Sequence, residues 1–174
     1  MRFIPLFALF HLVAIAKSAD FQTVRDDIAK ISTLLQRLDT DAKGIQAGSL
    51  GIARALQLEA DSVQVHQLLL STKDDTLASP PFQDHSIDVG GDFLNLQPVI
   101  NGVLKTITDL KSNLQELSVI VLASLYQLKQ DSLVLGKEVS SKLNDDFQAV
   151  AQQVISEIED AFNGAITAYG GKAK

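Results

Sequence analysis

The sequence predicts an all-α fold, an antiparallel bundle of five long amphipathic helices. Three observations predict it. Apolar residues recur at alternating spacings of three and four along most of the chain, and the one long break in that rhythm lies at residues 79–91. Cysteine is absent, so packing between helices must supply the stability that disulfides give many small exported domains. With 174 residues, 46% of them hydrophobic, the chain is long enough for one domain with a continuous core.

Residues 1–18 read as an export signal that precedes the fold. Arg2 supplies the positive start, and Phe3 to Ala16 is an apolar run of about 14 residues, short of the ~20 that span a membrane. Ala16-Lys17-Ser18 places small residues at both cleavage positions, so cleavage is expected after Ser18, or after Ala19, leaving residues 19–174 as a single helical-bundle domain. Loss of Arg2 and Lys17 lowers Lys+Arg from 15 to 13 against 21 Asp+Glu, a net charge of −8. Such a chain is ill suited to nucleic acid or anionic membranes, which reward clustered Lys and Arg, and no second apolar stretch of spanning length follows.

The first helix follows from Phe21, Val24, Ile28, Ile31, Leu35, Leu38, Ala42 and Ile45, one stripe at 3-4 spacing that ends near residue 46, where Gly44, Gly48 and Gly51 cluster. A second helix is expected from Ser49, with Leu56, Val63, Leu70 and Leu77 at intervals of seven as its core row and Ile52, Ala60 and Gln67 beside them. It should fade over Lys73 to Leu77, because Asp74 and Asp75 lie near the negative end of its dipole and Ser79-Pro80-Pro81 follows.

Residues 79–91 form the principal loop, with Gly90-Gly91-Asp92 as a helix-opening turn. The third helix then starts at Asp92 as N-cap and carries Phe93, Leu96, Ile100, Val103, Ile107 and Leu110, with Pro98 bending its beginning. Ser112-Asn113-Leu114-Gln115 has the form of a capping box and predicts a fourth helix whose face is Leu114, Leu117, Val121, Leu125, Leu128, Leu135 and Val139. Asn144, Asp145 and Asp146 open the fifth. Its two stripes, Phe147, Val150, Val154, Ile158, Ala161 and Ala165 beside Ala151, Ile155, Phe162, Ile166 and Tyr169, are wide enough to place it in the middle of the bundle, and Gly170 to Lys174 reads as a frayed tail.

The residue inventory is poor in chemistry. Once His11 goes with the signal, His66 and His85 are the remaining histidines, and no Gly-x-Ser-x-Gly elbow or His-Glu-x-x-His run is present. The expectation is a non-enzyme with no catalytic residue, no bound metal and no cofactor. His85 beside Asp84 and Asp88 is read as a solvated polar loop in preference to a metal site, His66 as a boundary histidine, and the Asp-Asp pairs lack the oxygen pattern of a calcium loop. No Asn-x-Ser/Thr acceptor for glycan occurs.

The signal, about 150 cysteine-free residues, five long helices and the closing Ile155-x-x-Ile158-x-x-Ala161-Phe162-x-x-Ala165-Ile166-x-x-Tyr169 together resemble the fungal hydrophobic surface-binding protein A family, which includes the cell-wall galactomannoprotein antigens. The resemblance implies a secreted bundle, extracellular or in the cell wall, that adsorbs to hydrophobic surfaces or holds a fatty acid or similar lipid between its helices, with a secreted esterase as a further partner. By position it implies that Leu35, Leu38, Leu56, Val63, Val103, Ile107, Val121, Leu125, Val154, Ile158 and Phe162 line the lipid-binding interior. No Ser/Thr-rich stalk or hydrophobic anchor signal follows the bundle, so the freely secreted form is expected. The alternative is a secreted cell-wall antigen or effector that acts as a protein interaction module without a lipid.

Energetics support a lipid reading only if the interior closes up when unfilled. About 14 buried methylenes at ~0.8 kcal/mol each give ~11 kcal/mol gross, against association costs of at least ~4. A void of ~300 Å³ would cost roughly 7 kcal/mol, as much as many domains are worth. Without disulfides the helices are expected to part to receive lipid.

Overall fold

In the computed structural model residues 19–45 and 49–173 are described, and the export-signal reading of residues 1–18 lies outside them. Five helices follow in order: α1 Phe21–Lys43, α2 Ser49–Ala78, α3 Ser86–Asp109, α4 Ser118–Lys142 and α5 Asp145–Ala168, with single 3₁₀ turns at Gln83–His85 and Gln115–Leu117. No described residue lies in a strand, and the five-helix architecture is the one the periodicity predicts.

α1 forms where its stripe places it. The Asp20 carboxylate accepts the Thr23 N–H at 2.8 Å, which caps the helix and holds that carboxyl below its ordinary value. Val24, Ile28, Ile31, Leu35, Leu38, Ala42 and Ile45 are all buried.

α2 departs from the sequence reading in register. Leu56, Val63, Leu70 and Leu77 are between 37% and 54% exposed, while Ala55, Leu58, Val65 and Leu69 face the core together with Ser62, Thr72 and Thr76. The buried hydroxyls are satisfied along the helix itself: Thr72 donates to the Leu68 carbonyl and Thr76 to that of Thr72. Nor does the helix fade at Asp74 and Asp75; it continues to Ala78, where Lys142 of α4 donates to the Ser79 carbonyl at 2.6 Å and to that of Leu77.

The predicted loop is shorter than expected. Phe82 is buried and its N–H bonds to the Lys142 carbonyl, and α3 already begins at Ser86, six residues before Asp92. Gly90 and Gly91 are therefore helical, and Gly90 packs beside Leu143 and Phe147. Ser86 accepts the Asn144 N–H at 3.0 Å, tying the start of α3 to that of α5. The Ser112 capping box does not form; a 3₁₀ turn over Gln115–Leu117 leads into α4 without a side-chain cap.

The C-terminal tail is docked. Gly170, at φ +81°, closes α5 in the left-handed conformation, and the Gly171 N–H reaches back to the Ile166 carbonyl. The Tyr126 hydroxyl of α4 donates to the Lys172 carbonyl and accepts the Lys172 N–H.

Successive helices alternate in direction, but packing neighbours are not simply successive. The helices form a ring in the order α1, α2, α4, α5, α3 and back to α1. Arg25 pairs with Asp92 and Asp39 with Thr106, both 67 residues apart, so α1 and α3 run parallel. Glu59 pairs with Ser124 and His66 with Asp131, both 65 apart, so α2 and α4 do too. α5 is consequently a member of the ring and not its centre; its two stripes serve α3 and α4. Gly136 of α4 allows a close approach there, since a Cβ would lie 2.8 Å from Ile155 and 3.1 Å from Phe93.

Candidate functional site: an apolar interior with a mouth between two parallel helices

A ring of amphipathic helices encloses the space where its apolar stripes meet, and here all five converge on one cavity of about 80 Å³. α1 contributes Ile31, Leu35 and Leu38; α3 contributes Leu96, Ile100, Val103, Leu104 and Ile107; α5 contributes Ile158 and Phe162. The remaining wall comes from α2 and α4, including Leu58, Val65, Leu69, Val121, Leu125, Leu128 and Leu135. Glu59, Ser62, Ser124 and Ser132 are its polar side chains.

The mouth lies between the N-terminal halves of α2 and α4. Leu56 and Ile120 line the cavity and are 54% and 41% exposed. Beside them the Ser124 hydroxyl donates to the Glu59 carboxylate at 2.7 Å, a bridge across the seam at the mouth. Farther along the seam His66 Nδ1 lies 2.6 Å from the buried Asp131 carboxylate, which also accepts from Gln127.

Of the eleven positions singled out from sequence, nine line this cavity: Leu35, Leu38, Leu56, Val103, Ile107, Val121, Leu125, Ile158 and Phe162. Val63 points outward and is 44% exposed, a consequence of the α2 register. Val154 is buried but off the cavity wall. Sequence reasoning missed Val65 and Leu69, because the larger Leu row on the opposite face of α2 masked theirs.

Neither of the described histidines, His66 and His85, lines the cavity. His85 stacks flat on Phe21 with ring centroids 3.6 Å apart, and His66 is held by Asp131. Among the described residues no cluster of three His, Cys, Asp or Glu could hold a metal ion, and no helix is long and apolar enough to cross a membrane.

Comparison with known proteins agrees with this geometry. The sequence matches the profile described as hydrophobic surface binding protein A over residues 21–141. No curated protein matches in sequence. Among solved structures the fold is similar to AFMP4P in complex with palmitic acid, with a TM-score of 0.82, 20% identity and coverage of 86% of this chain and 99% of that one. It is also similar to ligand binding domain 1 of the Penicillium marneffei MP1 protein complexed with arachidonic acids, at TM-score 0.78, 17% identity and coverage of 86% and 98%. Ligand binding domain 2 of the same protein, complexed with multiple arachidonic acids, gives 0.76, 21%, 87% and 95%. At these identities the likeness is one of fold.

Proposed function

Since the chain belongs to the hydrophobic surface binding protein A family, we propose that it is a secreted, non-enzymatic protein that takes the acyl chain of a fatty acid into the five-helix interior through the α2/α4 mouth. The observation that carries this reading is the cavity itself: five apolar faces meeting on one space, with an apolar opening bridged by a side-chain hydrogen bond. The structural neighbours bound to palmitic and arachidonic acids support the same ligand class.

The volume constrains how the ligand is received. At about 80 Å³ the cavity is smaller than the ~150 Å³ apolar void that accepts benzene, and left unfilled it costs about 2 kcal/mol. The interior is thus nearly closed, as the energetics require, and an acyl chain enters as the helices separate. Export of the chain, with residues 1–18 removed, and a location outside the cell belong to this proposal.

Fluorescence titration with cis-parinaric acid tests it on the native protein and on Val103→Phe, which fills the cavity from α3. The native protein binds, and the variant binds at least about tenfold more weakly while melting within a few degrees of the native chain. A native protein that binds no fatty acid, or a filled variant that binds as well, refutes the reading.

A further inference from the structure

Large apolar side chains are exposed unevenly over the bundle. Leu56, Val63, Leu70 and Leu77 lie on the outer face of α2. Val119, Ile120, Tyr126 and Val134 lie exposed on α4, its parallel neighbour in the ring. α3 and α5 expose one such residue each, Ile87 and Val150.

Charge is distributed in the opposite sense. Among the described residues, no exposed position of α2 between residues 56 and 71, or of α4 between 119 and 134, carries a charge; the polar ones are glutamines and a serine. Glu59 and His66, the titratable groups nearest the seam, are turned into it by Ser124 and Asp131. Exposed α1, by contrast, carries Asp26, Lys30, Arg37 and Lys43.

Because the α2 row repeats every seven residues, it drifts slowly around the helix and stays on one side for its whole length, about 32 Å from Leu56 to Leu77. Two parallel helices with such rows make a long strip, uncharged at its exposed positions over residues 56–71 and 119–134 and larger than the scattered apolar residues normal on a soluble surface. The strip is continuous with the cavity, since Leu56 and Ile120 belong to both.

We propose that the outer face of the α2/α4 pair lies flat on an uncharged hydrocarbon surface, setting the cavity mouth against it so that an acyl chain passes between surface and interior without crossing water. An anionic membrane does not fit, because the exposed positions of residues 56–71 and 119–134 offer no Lys or Arg to headgroups and the chain as a whole is acidic. Docking stands on the strip alone; passage of the chain rests on the cavity reading above.

Adsorption to an octadecyl-coated sensor, uptake of cis-parinaric acid in solution and uptake of the same probe from hexadecane droplets separate the two. The fourfold variant Leu70→Gln, Leu77→Gln, Val119→Gln, Val134→Gln alters exposed positions off the cavity wall. It should adsorb at least about tenfold less than the native protein, bind the dissolved probe with unchanged affinity, and take it from droplets at least about tenfold more slowly. Ile87→Gln with Val150→Gln, on other helices, should behave as native. Should the fourfold variant fail to fold, Val119→Gln at the most exposed of these positions, 79%, carries the same expectation at about two- to threefold.

Native-like adsorption by the face variant, or equal loss in the control pair, overturns docking. So does a native dimer that the face variant dissociates while both proteins still adsorb, because the strip then covers a second copy. Loss of adsorption in a protein that takes up no dissolved probe upholds docking and rejects the cavity.

Discussion

Tyr169 anchors the end of α5 to the end of α3 with both halves of its side chain. Its ring is buried among the core residues, and its hydroxyl donates at 2.8 Å to the Ile107 carbonyl, one of the last in α3 and so without a partner within that helix. Burial pushes the phenol up to about 12 from an ordinary value of 10. A folded-state value above the unfolded one favours the fold while the phenol is protonated, so this stabilisation is complete below pH 10 and lost as pH rises toward 12. Tyr169→Phe should cost about 0.5–1.5 kcal/mol at pH 7, through the orphaned carbonyl, and should lose less stability than the native protein between pH 10 and 12. Denaturant unfolding at both pH values measures this; parallel losses in the two proteins would contradict it. Nothing in the spacing of Tyr169 announces the carbonyl it meets, 62 residues away. The same holds for the buried acids Asp61 and Asp131: each reads as a surface residue until helix packing brings Arg37 or His66 against it.

Helix by helix, legibility followed how one-sided each helix is. α1 has one apolar stripe and a charged back, and its buried apolar residues are those the 3-4 spacing names. α2 has apolar rows on two faces, and the row with the larger side chains is the outer one, so choosing the core by size chose wrongly. Threonines that bond their own helix carbonyls disguised the inner row as polar. Gly90 and Gly91 misled in a similar way, since glycine ends helices by propensity but here lies inside α3 where packing decides. The α1/α2 contact carries its own pH dependence. Burial and a hydrogen bond to Asp27 raise the Asp75 carboxyl, with Asp27 and Asp74 adding charge repulsion and Lys30 opposing it. The contact is therefore strongest with Asp75 protonated and weakens as pH climbs through the raised value. Asp75→Asn should melt above the native protein at pH 7 and together with it near pH 3. Equal melting temperatures at pH 7 would show that Asp75 adds no strain.

At the scale of the whole molecule, a bundle of five helices was legible because each helix announces an apolar face, but the ring order was not, because it depends on which faces meet. The wide face of α5 suggested a central helix; in the ring it serves two neighbours instead. The ring order also identifies the seam that must part. α1 and α5 are separated by α3, whereas α2 and α4 are neighbours, flank the mouth and share the Glu59–Ser124 bridge. A chain without cysteine makes that seam directly testable, since thiols introduced at Glu59 and Ser124 are the only ones present. The decisive measurement is cis-parinaric acid binding by the Glu59→Cys, Ser124→Cys protein before and after joining the two thiols with a short bis-maleimide. Separation of α2 from α4 as the route to the interior predicts uptake at least about tenfold slower after cross-linking than before it, whereas equal uptake by the joined and unjoined protein would contradict that route.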